Sequence, residues 1–436
     1  MAVRPQIARR REQQVLVLCA RPRVTDETQV RIRDLTRDPF DWQYLQGIAE
    51  EHGLWPLVFS HATAANAAMP PELAAYLSRR VVETTALNLS LTRQLAGLVD
   101  VLGAAGVPAV ALKGPVLAAH AHGHLGLRPF GDLDVLVPAT MAARAVSALL
   151  ADGYREADQY AVTAGVYPAA GREFVLVPDD PSRVAVEVQI NLSSWVLPVA
   201  LSTEELIRRR RWLTLGGVRV PALSAEDQLL ALAIHGTRHA WHSLRFVTDV
   251  HAATTAEPAD WPVVFERARA ARMARMLGVG LTLARDVLDT PLPPDIDEAL
   301  SRDRGAASLS RRLAAQIFEG PPRFPHLRDT GVMLRSREHA GDRLRCLART
   351  VAFERVIRPI DEWQSVGRGA TAWRSAKIAR RLALPLLLLA FYAASQTVRP
   401  LAVGATLTTM IGAAYAGIHF WAARRVPVRS WARRNA

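Results

Sequence analysis

The amino-acid sequence predicts an α+β protein in which a small sheet-forming core lies between two helical regions. Apolar residues recur every three or four positions before residue 105 and again after residue 224, which is the period of an amphipathic helix. Between these regions, short apolar runs are bounded by glycine, proline and aspartate, which is typical of strands and turns. After residue 365, two long uncharged stretches predict a separate apolar tail.

The composition is that of a globular protein. The chain has 436 residues, of which 50% are apolar and 22% are charged, and this balance excludes a disordered or collagen-like chain. Its two cysteines, Cys19 and Cys346, lie far apart in the sequence. A disulfide scaffold and a cysteine-based zinc module are therefore both excluded.

Residues 1–25 are expected to form a flexible, Arg-rich lead-in. The arginines at positions 9–11 resemble the start of a secretory signal, but the apolar run that follows, residues 15–20, is too short for one and ends at Arg21. We therefore expect the body of the protein to stay in the cytoplasm.

Residues 26–105 are expected to form an N-terminal helical region. The stretches 42–55 and 87–102 both have the apolar spacing of a helix. Gly103 and Gly106 end the second pattern, because glycine disfavours a continuing helix.

Residues 106–222 are expected to form the core of the protein. The pattern changes from helical to strand-like near Val107, and a helix is predicted over residues 140–151, between the second and third strands. The predicted strands cover residues 107–114, 133–137, 173–177 and 184–190.

Residues 223–365 are expected to form a helical domain. Ser224, followed by two acidic residues, has the N-cap pattern of a helix that runs through residues 228–239. Further helical segments continue to about residue 288, where the prolines at 291, 293 and 294 break the pattern.

Residues 366–436 are expected to form a basic, apolar tail. The chain has a net charge of +13, and eleven basic residues but no acidic residue follow Glu362, so residues 1–362 have a net charge of only +2. The uncharged stretches 382–398 and 400–423 span roughly 25 and 36 Å as helices, against a hydrocarbon core of about 30 Å. Basic residues at both ends indicate association with the inner face of the cell membrane, and a buried helix pair closing the body is the alternative.

Two aspartates at the start of the second predicted strand indicate a metal site. Side chains alternate along a strand, so Asp132 and Asp134 point to the same face and repel each other unless a cation lies between them. Glu187, the acidic residue of the strand at 184–190, is the candidate third carboxylate. Such oxygen ligands suit Mg²⁺ or Mn²⁺. The alternative interpretation is a solvated strand end.

Glycine turns accompany these acids. Lys113 and Gly114 end the preceding strand, and Gly131 comes directly before the aspartates. Glycine lets backbone N–H groups approach phosphate oxygens closely. Together with the carboxylates, these turns predict a metal site that binds nucleotide phosphates.

Two segments at this spacing support a specific resemblance. They read Leu-Lys113-Gly114 and Arg128-Pro-Phe-Gly131-Asp132-Leu-Asp134. The pair resembles the family called uncharacterised nucleotidyltransferase, a branch of the DNA polymerase β-like nucleotidyltransferase superfamily. The resemblance extends from about residue 42 to residue 249, and more weakly to about residue 365. It implies a minimal nucleotidyltransferase fold with a helical companion domain.

The resemblance also implies Mg²⁺-dependent transfer of a nucleoside monophosphate from a nucleoside triphosphate. Asp132, Asp134 and Glu187 would be the catalytic metal ligands, with Glu187 beside the acceptor as ligand or base. The implied nucleotide-binding residues are Lys113, Gly114, Arg128 and Gly131. Structural alternatives exist for both cations, since Lys113 could pair with a carboxylate and Arg128 could brace its loop.

The sequence departs from the family pattern on the third-carboxylate strand. Family members usually have a histidine two residues after the acid, whereas this chain has Gln189. Glu187 can bind a metal as aspartate does, so the metal role is kept, while the role of that histidine has no counterpart. The long apolar tail is a second departure.

Histidines outside this motif have weaker interpretations. His235 and His239 lie four residues apart on a predicted helix and share a face. No further ligand at suitable spacing joins them, so packing within the helical domain is favoured over zinc, and closure over the nucleotide is an alternative. Asp249 is expected to hold Arg245 or a helix end. Three histidines of a predicted loop are expected to face solvent: His120, His122 and His124.

The leading hypothesis is an enzyme that transfers a nucleoside monophosphate to a small-molecule or peptide acceptor, in a biosynthetic pathway that the resemblance alone implies. The nearly neutral body disfavours a nucleic-acid acceptor, which would need a basic surface. One alternative is a catalytically inactive, membrane-tethered nucleotide-binding module. Another is a protein-modifying nucleotidyltransferase of the toxin–antitoxin type.

Overall fold

The computed structural model describes residues 8–37, 39–157, 173–194, 196–319 and 325–352. In these residues, helices surround a mixed sheet, so the predicted α+β class is confirmed. The predicted apolar tail lies outside them. Within the part described, no helix combines the length and the apolarity needed to cross a membrane.

The N-terminal part is helical. Its helices are α1 (Arg11–Cys19), α2 (Asp26–Leu35), α3 (Trp42–Glu51), α4 (Trp55–Ala64) and α5 (Pro71–Ala104). Side-chain caps begin two of them: the Thr25 hydroxyl accepts a hydrogen bond from Thr28 N–H, and the Asp41 carboxylate accepts one from Tyr44 N–H at 2.8 Å. The long helix α5 ends where Gly103 and Gly106 predict an end.

Helix α1 contradicts the expectation of a flexible lead-in. The apolar run that is too short for a secretory signal, Val15 to Cys19, is buried. It packs against α3 and α4. An apolar run of this length is sufficient for a short helix, because tertiary packing of one face supplies most of its stability. A flexible segment was expected because residues 1–25 are rich in arginine. Arginine is also common on the solvent side of a surface helix, as it is here.

The core contains one mixed sheet. Its strands are β1 (Val110–Leu112), β2 (Leu133–Leu136), β3 (Tyr154–Glu156), β4 (Phe174–Pro178), β5 (Val186–Gln189), β6 (Arg211–Leu215) and β7 (Val218–Ala222). The core helices are α6 (Gly114–Val116), α7 (Ala142–Ala151) and α8 (Thr203–Arg208). The strand order is β3-β4-β5-β2-β1-β7-β6. β2 pairs with β5 and β1 with β7 in parallel, and the other neighbours are antiparallel.

Strands β1, β2, β4 and β5 and helix α7 were predicted from the sequence, whereas β3, β6 and β7 were not. β6 and β7 form a hairpin around Gly216 and Gly217, whose φ angles are +57° and +86°. A pair of consecutive glycines is a strong hairpin signal in a sequence, because both can adopt the positive φ that a two-residue turn needs. This signal was missed. β3 has only three residues, too few to show a strand period.

Helix α5 covers one face of the sheet. Its buried face consists of leucines spaced at three and four residues: Leu91, Leu95, Leu98 and Leu102. Leu133 and Val135 of β2 belong to the same core. Because side chains alternate along a strand, Asp134 between them lies on the opposite face of the sheet. The packing of α5 therefore determines which face carries the acid.

The C-terminal part is again helical. Ser224 caps the first of its helices as predicted, since its hydroxyl accepts a hydrogen bond from Asp227 N–H at 3.2 Å. The helices are α9 (Ala225–Arg238), α10 (Leu244–Ala256), α11 (Trp261–Ala270), α12 (Ala274–Leu288), α13 (Pro294–Arg302), α14 (Arg304–Gln316), α15 (Pro325–Arg335) and α16 (Ala340–Ala352). The described residues up to Thr350 form one compact unit. The domain boundaries near residues 25, 105, 222 and 365 stay predictions.

A buried tryptophan stabilises the connection between α9 and α10. Ala240 and Trp241 both have positive φ, near +50°, which is unfavourable for residues with a side chain. The Trp241 side chain is fully buried and occupies space left by two glycines. A Cβ atom at Gly236 of α9 would lie 2.5 Å from the Trp241 ring, and one at Gly280 of α12 would lie 2.8 Å from it. Burial of the indole therefore compensates for the strained connection.

Substitution at Gly280 tests this packing. Gly280→Ala adds a Cβ atom against the Trp241 ring, so we expect the free energy of unfolding to fall by about 1–3 kcal/mol. Gly278→Ala is the matched control on the same helix, because its Cβ atom would lie 3.5 Å from Leu300, an ordinary contact. The control should be neutral or stabilising, since alanine favours a helix. Equal unfolding midpoints in urea for the two variants would contradict the packing argument.

Candidate active site

Three carboxylates meet on neighbouring strands. The parallel pairing of β2 with β5 places Asp134 directly opposite Glu187, and Asp132 comes just before β2. Ligand oxygens of Asp132, Asp134 and Glu187 all lie within 4.8 Å of one another. Asp132 is exposed, Asp134 is buried and Glu187 is half-buried, so the cluster lies at the protein surface with one open side.

The carboxylates destabilise one another's charged forms. Burial raises the pKa of Asp134, the negative charge of Asp132 raises it further, and the ammonium of Lys113 opposes the shift. Burial, the charge of Asp134 and the charge of Glu173 raise the pKa of Glu187 to about 7. A divalent cation would relieve this repulsion, and carboxylate oxygens are the ligands that Mg²⁺ and Mn²⁺ prefer. The residues present therefore fit such a cation.

Lys113 lies at this site on a strained turn. Its Nζ is 3.1 Å from Asp134 Oδ1. The φ angle of Lys113 is +45° and that of Gly114 is +33°, so two consecutive residues have left-handed values where β1 turns into α6. A non-glycine residue with positive φ stores strain, and such strain is common at functional sites. The carboxylate pairing left open as an alternative for Lys113 is present in the structure.

Gln189 supports the same aspartate. Its side-chain Nε2 donates a hydrogen bond to Asp134 Oδ1 at 2.7 Å, and its side chain is buried. Gln189 follows Glu187 by two residues on β5, so both side chains lie on the face of the sheet that Asp134 occupies. The amide therefore fixes the orientation of the Asp134 carboxylate.

Arg128 is buried in an ion pair behind the site. Its Nε and Nη2 donate hydrogen bonds to the Asp249 carboxylate at 2.7 and 2.8 Å, and His122 Nε2 donates a third at 3.0 Å. Burial alone would raise the pKa of Asp249, but Arg128 and His122 hold it well below its ordinary value. Since its guanidinium is engaged here, the position of Arg128 favours the bracing alternative over phosphate binding.

This ion pair corrects two further expectations. His122 was expected to face solvent, yet it is buried, because the chain after α6 forms a π-helical turn at Leu117–Ala121 that directs it towards α10. Asp249 was expected to hold Arg245 or a helix end, but it binds Arg128 instead. Arg245 donates a hydrogen bond to the Pro129 carbonyl at 2.9 Å. The charge of Arg128 and burial lower the pKa of Arg245 to about 10.

One residue of the site was missed entirely by the sequence analysis. Asn88 of α5 is buried, and its side-chain nitrogen donates hydrogen bonds to the carbonyls of Leu125 and Arg128 at 2.5 and 3.1 Å. It fixes the loop that leads to Asp132 through the backbone, whereas Asp249 holds the Arg128 side chain. No local pattern could have indicated it, because a single asparagine on a helix gives no sign of what it contacts.

The two glycines of the predicted phosphate turns have different surroundings. Gly114 has positive φ and would bring a Cβ atom to 3.7 Å from the Phe130 ring, so its backbone conformation requires glycine. Gly131 is exposed, and a Cβ atom there would meet nothing within 4 Å. Space beside Gly131 is therefore open to a ligand.

His235 and His239 lie on α9 and at its C-terminal end, with ring centroids 4.7 Å apart. Among the described residues, the acidic triad is the group of metal-ligating side chains close enough to hold an ion, and neither histidine belongs to it. The same end of α9 reaches the site, because Arg238 donates a hydrogen bond to Glu173 at 3.2 Å. Packing within the helical domain therefore fits these histidines better than zinc.

Removing the Asp249 charge should destabilise the protein. Asp249→Asn leaves the Arg128 guanidinium buried without a counter-charge, and breaking a buried pair from one side costs about 3–5 kcal/mol. Urea unfolding followed by circular dichroism measures the loss. The control is Glu298→Gln, which removes an exposed pair with Arg302 and should change stability little. A loss no larger than that of the control would mean that Arg128 does not depend on Asp249.

The raised pKa of Glu187 predicts a pH dependence of stability. The unfolded carboxyl titrates near 4.3 and the folded one near 7, so between these values the folded state binds more protons and stability falls as pH rises. Glu187→Gln removes this loss, so with chelator present the variant should melt above wild type at pH 8, and the difference should shrink towards pH 4.

The exposed Glu83→Gln is the control for this titration and should follow the wild-type curve. Parallel melting curves for wild type and Glu187→Gln across the whole range would show that Glu187 titrates as an ordinary carboxyl.

A comparison with protein families agrees with this geometry. The family model described as uncharacterised nucleotidyltransferase matches residues 38–289, which is more than half of the chain and includes the sheet, the acidic triad and Asp249. A search of the curated proteins finds no match. The chain belongs to the uncharacterised nucleotidyltransferase family.

Proposed function

We propose that this protein is a Mg²⁺-dependent nucleotidyltransferase that transfers a nucleoside monophosphate from a nucleoside triphosphate to a hydroxyl group of a small molecule or peptide. The observation that supports it most is the triad of Asp132, Asp134 and Glu187, whose oxygens converge within 4.8 Å beside the Lys113 turn. In this proposal, residues 106–222 are a minimal nucleotidyltransferase core between the two helical regions.

The donor triphosphate binds at the turn between β1 and α6. Lys113 exchanges its contact with Asp134 for a phosphate oxygen, which becomes favourable once the carboxylates hold a cation. The backbone at Gly114 and the open space beside Gly131 admit the phosphate chain. Arg128 has no direct part in this binding, because its guanidinium is bound by Asp249.

The reaction forms one bond and breaks one. The acceptor oxygen bonds to the α-phosphorus, and the bond from that phosphorus to the bridging oxygen breaks, so that its electron pair leaves with pyrophosphate. Mg²⁺, when bound, supplies Lewis-acid stabilisation of the phosphate charge and lowers the pKa of the acceptor hydroxyl. Glu187 stands on the acceptor side, as metal ligand or as the base that takes the hydroxyl proton.

The acceptor class and the location follow from charge. Residues 1–362 have a net charge of only +2, which favours a small molecule or peptide, in a biosynthetic pathway, over a nucleic acid. The basic tail at residues 366–436 favours a place at the inner face of the cell membrane, with the body in the cytoplasm. Both statements are proposals from sequence.

A second candidate function is a membrane-tethered module that binds nucleotide without turnover. It is favoured by one observation: the Gln189 amide binds Asp134 at the position where the sequence resemblance implies a histidine. An amide holds the aspartate but does not exchange a proton near neutral pH.

Radiolabelled nucleotides distinguish the candidates. Wild type is incubated with each α-labelled nucleoside triphosphate, Mg²⁺ and a cell extract, and the label is traced to small molecules, peptides or proteins. Asp132→Asn should reduce transfer roughly a hundredfold or more, because an exposed metal ligand is lost while the fold is kept. Asp100→Asn, an exposed aspartate on α5, is the control and should be fully active.

Each destination of the label has one meaning. Label on a small molecule or peptide supports the transferase proposed here, and label on protein supports the protein-modifying alternative. Mg²⁺-dependent nucleotide binding without any transfer supports the inactive module. The proposal is overturned if the protein neither binds a nucleotide nor transfers the label.

A further inference from the structure

Four rings form a cluster on the helical side of the site. They are His235, His239, His242 and Phe246, and we refer to them as the ring cluster. The His239 and Phe246 rings stack with centroids 5.3 Å apart and an interplanar angle of 8°. His235 and His242 contact Phe246 edge-on, at 5.2 and 5.3 Å. His242 is exposed and the other three rings are half-buried, so part of the ring surface is accessible.

Two contacts made by arginines next to the ring cluster join it to the elements that carry the acidic triad. At the end of α9, Arg238 binds Glu173, which comes directly before β4, the antiparallel neighbour of the strand that carries Glu187. At the start of α10, Arg245 donates to the Pro129 carbonyl, three residues before Asp132. His239 and His242 lie between these two contacts in the chain, and His235 and Phe246 lie just outside them, so the cluster is held next to the strand and the loop that lead to the triad.

Two imidazoles of the cluster, those of His235 and His239, are held in the uncharged form near the phosphate turn. Burial and the positive charge of Lys113 lower the pKa of His235. Burial and the charges of Arg238, His242 and Lys113 lower that of His239 to about 4. Both imidazoles are therefore neutral at physiological pH, and Lys113 is close enough to influence both. Neutral rings near the Lys113 turn offer a surface on which a flat ligand can stack, and they offer no charge that would bind a second phosphate.

We propose that the ring cluster is the nucleobase subsite of the donor nucleotide, with His239 and Phe246 as its stacking platform. This inference rests on the proposed function, because it assumes that a triphosphate binds at Lys113 and Gly114. A nucleobase is a flat ring that a single ribose joins to those phosphates. Aromatic side chains bind any base by stacking on its face. The subsite should therefore accept purines best and discriminate between them little.

The test separates base binding from phosphate binding. Calorimetry with Mg²⁺ measures the affinity of full-length wild type and its variants for ATP and for inorganic tripolyphosphate, which has no base. Phe246→Leu and His239→Leu remove a ring but keep its bulk, and each should weaken ATP binding by roughly 5- to 100-fold. Their tripolyphosphate affinity should stay within about twofold of wild type, because the phosphate turn is untouched.

Two further variants exclude a merely structural effect. His239→Phe keeps a flat ring and should restore ATP affinity to near the wild-type value. His339→Leu replaces an exposed imidazole remote in sequence from the cluster and should leave both affinities unchanged.

Three outcomes overturn this inference while leaving the proposed function intact. They are unchanged ATP affinity in both leucine variants, equal loss of ATP and tripolyphosphate binding, and failure of His239→Phe to restore ATP binding. Wild type that binds neither probe with Mg²⁺ would instead overturn the proposed function, and the inference with it.

Discussion

The parallel pairing of β2 with β5 is the constraint on which the site depends. It puts Asp134 opposite Glu187 with Asp132 one strand repeat away, and so gathers three negative charges in a partly buried place. Such a cluster is unfavourable by itself, and the neighbouring groups compensate for it. Lys113 supplies a positive charge on a strained turn, and Gln189 supplies a hydrogen bond. The strained turn at Lys113 and the buried amide of Gln189 therefore accompany the three clustered acids.

A second arrangement fixes the loop that leads into β2. Asp249 of α10 binds the Arg128 side chain, and Asn88 of α5 binds the Arg128 carbonyl. Four residues before Asp249 on the same helix face, Arg245 holds the Pro129 carbonyl. The position of α10 depends in turn on Trp241, whose burial stabilises the connection from α9. One helix therefore holds both the loop that leads to Asp132 and the Phe246 ring of the cluster, which couples the helical region to the sheet.

The parts of this design that sequence could predict are those encoded by neighbouring residues. The spacing of Asp132 and Asp134 gave the shared face, the Lys113-Gly114 pair gave the end of a strand, and Ser224 gave the start of a helix. The errors concern residues whose roles depend on distant partners. His122 was expected to face solvent, but it is buried because it contacts Asp249, which comes 127 residues later in the chain. Arg128, a candidate phosphate cation or loop brace, pairs with the same carboxylate.

The sequence by itself determined the α+β class, the acidic motif and the family, because alternation along strands, helical period and turn residues are local properties. The tertiary structure decided which side chains remain free to act. It pairs Arg128 with Asp249, uses Asn88 and Arg245 to hold the loop that leads to Asp132, and brings three histidine rings together around Phe246. Only the packed chain decides this, because each of these contacts joins segments whose sequence separation tells nothing about their distance in space.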